Sequence, residues 1–112
     1  MCGISGIFRV TGDKPITENL MKAMTETLYH RGPDDQGFYI NQNIGLGIQR
    51  LSVIDPSGGH QPITNEDGQI RVVCNGEIYN FHELRGLLEQ KGHTFRTHSD
   101  TEVLVHLYEE EG

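Results

Sequence analysis

Cys2 is the residue best placed for covalent chemistry. Removal of the initiator methionine, which a small second residue permits, would put a thiol and a free α-amine on one residue. An α-amine with a pKa of about 7.7–8.0 is partly neutral at physiological pH, and a cysteine thiol at about 8.5 is readily activated by such a base, directly or through one water. Such a residue is a nucleophile with its own general base. The ordinary alternative, that Cys2 only packs at the start of a strand, stays open on this residue alone.

A nucleophile attacking an amide also needs donors held where negative charge develops. Asn75-Gly76 offers a side-chain amide N–H and a backbone N–H that no Cβ obstructs, although Asn-Gly is equally a two-residue hairpin signal. Arg50 could hold a carboxylate bidentately, and Glu77 and Asp100 could hold an ammonium. Those charges fit the α-amino-acid end of a small substrate. Surface ion pairs, or for Asp100 a helix cap, would use the same residue types. Cys74, flanked by Val73 and Asn75, reads as an inert strand thiol.

Six histidines raise the question of a metal. None are spaced i, i+4 on a predicted helix with a glutamate between, and His82-Glu83 lacks the second histidine of a zinc-protease motif, so no metal site is expected. No phosphate loop is present, and Gly58-Gly59 has neither the spacing nor the following helix of a dinucleotide site.

The elements that must position these residues read as mixed α and β. Cys2–Val10 alternates as a strand apolar on both faces, which predicts its burial. Thr17 caps a helix with the stripe Leu20, Met21, Met24 and Leu28, stapled by Ile16 and Met21, and Pro15 keeps the preceding loop apart. Gly37–Ile40 and Ile44–Leu51 flank Asn41-Gln42-Asn43 as a hairpin, and Gly45 and Gly47 leave one face of the second strand bare for a backbone or a ligand. After a loop at 55–62 come a short strand near Ile63, a turn at Asn65–Gly68 and a strand at Gln69–Cys74. Asn80 and Glu83 form a capping box before the stripe Phe81, Leu84, Leu87 and Leu88, with Gly92 as the stop, so Asn75-Gly76 sits at a strand-to-helix corner. A strand at His93–Thr97 precedes a last helix, opened by the box Ser99-x-x-Glu102, with Val103, Leu104, Leu107 and Tyr108 inward.

Composition bounds the function. With 112 residues, 14 glycines and 35% apolar residues, the chain is at most one domain with a modest core. A net charge of −7 disfavours nucleic acid and anionic lipid as partners. Neither a signal peptide nor a membrane-spanning run is recognisable, and two cysteines make no disulfide framework, so a cytoplasmic protein is expected.

Six ordered motifs, Cys2-Gly3-Ile4, His30-Arg31-Gly32-Pro33-Asp34, Arg50-Leu51-Ser52-Val53-Ile54-Asp55, Gly59-His60-Gln61-Pro62, Asn75-Gly76-Glu77-Ile78-Tyr79-Asn80 and Ser99-Asp100-Thr101-Glu102, resemble the glutaminase domain of glutamine-hydrolysing asparagine synthetases, within the class II amidotransferases and N-terminal nucleophile (Ntn) hydrolases. The resemblance implies an α+β fold, the N-terminal part of a four-layer αββα sandwich, apparently truncated within residues 1–112. It implies Cys2 as nucleophile, Asn75 and Gly76 as oxyanion hole, and Arg50 with Leu51, Val53, Ile54, Glu77 and Asp100 around the glutamine substrate. The implied half-reaction releases ammonia and glutamate without metal or nucleotide. ATP and Mg would serve only a C-terminal synthetase domain that activates aspartate, and a homo-oligomer stays open. A non-catalytic assembly module, or the glutaminase of an antibiotic or surface-polysaccharide pathway, are the alternatives at this point.

Overall fold

The computed structural model describes residues 2–12, 14–51 and 60–112. The expected site residues Val53 and Ile54, and most of the loop expected at 55–62, lie outside the described residues.

Thr17 Oγ1 accepts the Leu20 N–H at 3.2 Å and opens helix α1 (Glu18–Glu26). Ile16 and Met21 on either side of that cap are both buried, as a hydrophobic staple requires. The helix lies on an antiparallel sheet of β1 (Gly3–Phe8), β2 (Asp35–Asn41) and β3 (Ile44–Arg50), in the order β1-β3-β2. The β2–β3 hairpin turns at Gln42 and Asn43, with Asn41 opposite Ile44. Gly45 and Gly47 are bare because α1 approaches there: a Cβ on Gly45 would press into Met21, and one on Gly47 would collide with Thr25 Oγ1 and Ser5 Oγ. Those two hydroxyls are themselves 2.9 Å apart, joining β1 to α1. The sequence left a backbone or a ligand open for this face, and side chains, chiefly Met21 and Thr25 of α1, are what approach it.

β1 is an edge strand, and Ile4 and Phe8 are exposed rather than buried, since α1 covers only the opposite face of the strand. A second antiparallel pair, β4 (Ile63–Thr64) and β5 (Arg71–Val72), turns through Asn65–Gly68, where Gly68 has φ +75° and Asn65 Oδ1 accepts the Ile70 N–H. The strand expected at Gln69–Cys74 contracts to two residues because the Cys74 N–H is taken by the Gln61 side chain at 2.7 Å. Arg71 stacks on the Tyr39 ring at 4.0 Å, linking this pair to β2.

Helix α2 (Phe81–Gln90) ends in a Schellman arrangement: Gly92 has φ +98°, the His93 N–H reaches Leu88 O and the Gly92 N–H reaches Glu89 O, both at 3.1 Å. Only Leu88 of the expected stripe is fully buried, and Leu87 is exposed. No strand forms at His93–Thr97, because the Arg96 and Thr97 N–H groups donate to the Glu102 carboxylate instead of to a neighbouring strand. Neither capping box closes: Asn80 makes no side-chain cap bond, and Glu102 reaches back past Ser99 to residues 96 and 97. Helix α3 (Glu102–Glu111) packs on α2 and on both strands of the second pair. Its buried face is centred on Glu102 and His106 with Val103 and Val105, and Tyr108 is exposed. The class is α+β.

Candidate active site

The antiparallel register of β1 on β3 sets Gly3 opposite Gln49, which brings Cys2 to the end of β3. There the Leu51 N–H donates to Cys2 Sγ at 3.4 Å, and Leu51 O lies 4.0 Å from the same sulfur. The chain's first thiol is therefore fixed to a residue 49 positions away. Gly3, next along the chain, makes room for Leu28, since a Cβ there would stand 2.9 Å from Leu28 Cβ.

The segment His30–Asp34 braces the same strand end. The Asp34 N–H donates to Arg50 O at 3.0 Å, and Gln49 Nε2 donates to Gly32 O at 2.9 Å. A Cβ on Gly32 would overlap the backbone of Arg50 and Leu51. Arg50 itself is 12% exposed, with Nη1 3.7 Å from Asp35 Oδ2. Asp35 was not anticipated from the sequence, although hairpin register places it opposite Arg50. Its Oδ2 is already engaged by His60 Nδ1 at 2.7 Å. Among the described residues, Arg50 Nε and Nη1 have no hydrogen-bond partner. Buried guanidinium donors left unpaired are costly, and a bidentate anion is what relieves them.

The third part is the corner between β5 and α2. Cys74 is partly buried, and Asn75, Gly76 and Glu77 behind it are exposed. Burial, then the Asp100 carboxylate, pushes the Cys74 thiol pKa up; a hydrogen bond from the Thr101 region opposes this, and Cys2 adds to the rise. Asp100 and Cys2 thus both bear on the charge of Cys74. Asp100 Oδ2 accepts the Ile78 N–H at 2.7 Å and ties the corner to the start of α3. A Cβ on Gly76 would find only Cys74 Sγ at 3.7 Å, so nothing in the described fold demands glycine there. Leu51 is exposed beside the sulfur. Glu77 is not joined by a hydrogen bond or ion pair to any other expected site residue among those described.

Sequence spacing also passed over a second cluster. Glu66, His93, His106 and Glu109 present ligand-type atoms all within 4.8 Å of one another. The expectation of no metal site rested on spacing within one helix, whereas this group is assembled from the β4–β5 turn, the segment after α2, and α3. Burial works against charge on His93, but hydrogen bonds to Glu110 and Glu66 outweigh it and raise its pKa. For Glu66 burial opposes ionisation, and its own backbone N–H and the two rings prevail, lowering its pKa.

The described fold thus presents a thiol anchored at a strand end, a largely buried guanidinium on the adjacent residue of that strand, and a strand-to-helix corner held by Asp100. The sequence matches the glutamine amidotransferase domain model over residues 1–112, and the chain belongs to that family. It is 45% identical over 114 residues to asparagine synthetase (glutamine-hydrolysing) 2 of Bacillus subtilis, covering all of this chain and 15% of that protein. It is 49% identical over 112 residues to asparagine synthetase (glutamine-hydrolysing) 1 of Arabidopsis thaliana, covering all of this chain and 19% of that one. The second B. subtilis enzyme of that name is 46% identical over 113 residues, covering 96% of this chain and 17% of the relative. The chain spans less than a fifth of the length of these three curated relatives.

Proposed function

We propose that this domain carries the glutaminase half-reaction of a glutamine amidotransferase. The observation that carries the reading is the bond from the Leu51 N–H to Cys2 Sγ, one residue beyond Arg50, whose Nε and Nη1 have no hydrogen-bond partner among the described residues. A nucleophile and a carboxylate receptor then stand at one strand end. With Met1 removed, the α-amine of Cys2 takes the thiol proton, and the sulfur attacks the side-chain carbonyl carbon of glutamine. The oxyanion is held by the Asn75 amide and the Gly76 N–H, while Arg50 takes the α-carboxylate and Glu77 and Asp100 face the α-ammonium. By the resemblance to the glutaminase domain, Leu51, Val53 and Ile54 would contact the same substrate. The C–N bond breaks as the ammonium of Cys2 returns a proton to the leaving amine, giving ammonia and a γ-glutamyl thioester. Water, deprotonated by the same amine, then releases glutamate and the thiol.

No step in that sequence asks for a metal or nucleotide. The ammonia would serve ATP-dependent conversion of aspartate to asparagine in a C-terminal synthetase domain, with ATP and Mg used there. The names of the relatives support that acceptor. The sheet bearing α1 on one side and the β4–β5 pair backed by α3 on the other support the four-layer αββα reading. Two free cysteines suit a reducing, cytoplasmic setting. A glutamine-analogue electrophile tests the assignment: mass spectrometry should find Cys2, with Met1 gone, carrying the label. Label on Cys74 alone, or none in folded protein, overturns it.

A further inference from the structure

The geometry points to a divalent-cation site, best suited to Zn²⁺, formed by Glu66, His93, His106 and Glu109. His93 Nε2 is 2.7 Å from Glu110 Oε1, and His106 Nε2 is 2.9 Å from Glu102 Oε2. Each ring thereby has a carboxylate at Nε2, the outer support that metal-binding imidazoles characteristically have when Nδ1 is the ligand. Both Nδ1 atoms turn toward Glu66, at 3.0 Å from Oε2 for His93 and 2.8 Å from Oε1 for His106.

The second contact is the informative one. His106 is fully buried, and neither its Nδ1 nor Glu66 Oε1 makes a hydrogen bond, although the two lie 2.8 Å apart. A cation held between a ring nitrogen and a carboxylate oxygen would satisfy both. Glu109 supplies the fourth donor: its Oε2 is 3.7 Å from His93 Nδ1 and is oriented by Asn65 Nδ2 at 3.1 Å. Tetrahedral Zn²⁺, with bonds of about 2.0–2.2 Å, needs ligand atoms about 3.3–3.5 Å apart. The observed spread, within 4.8 Å, requires Glu66 to withdraw slightly from His106 and Glu109 to move in. Both carboxylate side chains are partly exposed, at 32% and 40%, which gives the ion a path from solvent. Two imidazoles and two carboxylates form a donor set that suits Zn²⁺ over Mg²⁺ or Ca²⁺.

The site would tie the β4–β5 turn and the segment after α2 to α3, fastening the elements behind the catalytic corner. The test uses the intact protein, stripped with chelator and dialysed against limiting Zn²⁺. One equivalent should be retained at this site, Co²⁺ in its place should give the visible absorption of a tetrahedral site, and Glu109→Gln, at a partly exposed position, should weaken Zn²⁺ binding by about tenfold or more. A Cys2→Ala/Cys74→Ala variant should retain the ion. Ring ¹⁵N NMR should show both Nδ1 signals shifting with the metal. No retention, retention unaffected by both Glu109→Gln and His106→Asn, or loss of the ion with the two cysteines overturns the site. So do rings that stay doubly protonated in excess Zn²⁺, which would make the group an imidazolium–carboxylate cluster only.

Discussion

Asp100 Oδ2 accepts the Ile78 N–H at 2.7 Å, so the residue that opens the last helical segment also holds the corner carrying Asn75 and Gly76. That bond and a place beside the substrate ammonium are separable. Asp100→Asn keeps an acceptor for Ile78 but removes the charge, so the fold should persist while KM for glutamine rises by about tenfold and kcat changes less. Steady-state glutamate release against glutamine concentration, with thermal unfolding as control, reads both. Equal KM in the variant would remove Asp100 from the substrate site.

The two thiols should separate by pH. Burial and the Asp100 carboxylate raise the Cys74 pKa, so at any given pH less of it is thiolate, and its alkylation should lag at neutral pH and climb only in alkaline solution. Peptide mapping after brief iodoacetamide treatment across a pH series checks this. Faster labelling of Cys74 than of Cys2 at neutral pH contradicts it.

Much of this was legible in the sequence where local rules and global packing agree. Thr17, the Ile16–Met21 staple, the hairpin around Gln42 and the Gly92 stop are local signals, and each is found. The two strands that came out short or missing share one cause, which is a side chain diverting a backbone group. Gln61 takes the Cys74 N–H and shortens β5, and Glu102 takes the Arg96 and Thr97 N–H groups and abolishes a strand. Asp35 beside Arg50, and the gathering of His93 with His106, depend on register and helix packing that spacing along the chain does not encode.

Glu102 is 1% exposed and accepts from Arg96 N, Thr97 N, Thr97 Oγ1 and the His106 ring at 3.0, 2.7, 2.7 and 2.9 Å. Glu102→Ala strands those donors and should cost about 3–5 kcal/mol, read by urea unfolding. A loss below about 1 kcal/mol would mean that the clamp contributes little.

Two glycines give opposite expectations. Gly47→Ala drives a methyl into Thr25 and Ser5 and should destabilise by about 1–3 kcal/mol. Gly86, inside α2 with nothing within 4 Å of its missing Cβ, should gain about 0.5–1 kcal/mol as alanine. Melting curves of the two variants decide. A stabilising Gly47→Ala would contradict the packing of α1 on β3, and a destabilising Gly86→Ala would contradict the open space at α2.

Central to the whole account is that Cys2, fixed by Leu51, turns glutamine into glutamate and ammonia. The direct measurement is glutamine-dependent release of both products by protein with Met1 processed, compared with Cys2→Ala of the same folded state by circular dichroism. Turnover in the first, with none above background in the second, is the predicted result. Equal release by Cys2→Ala would contradict it.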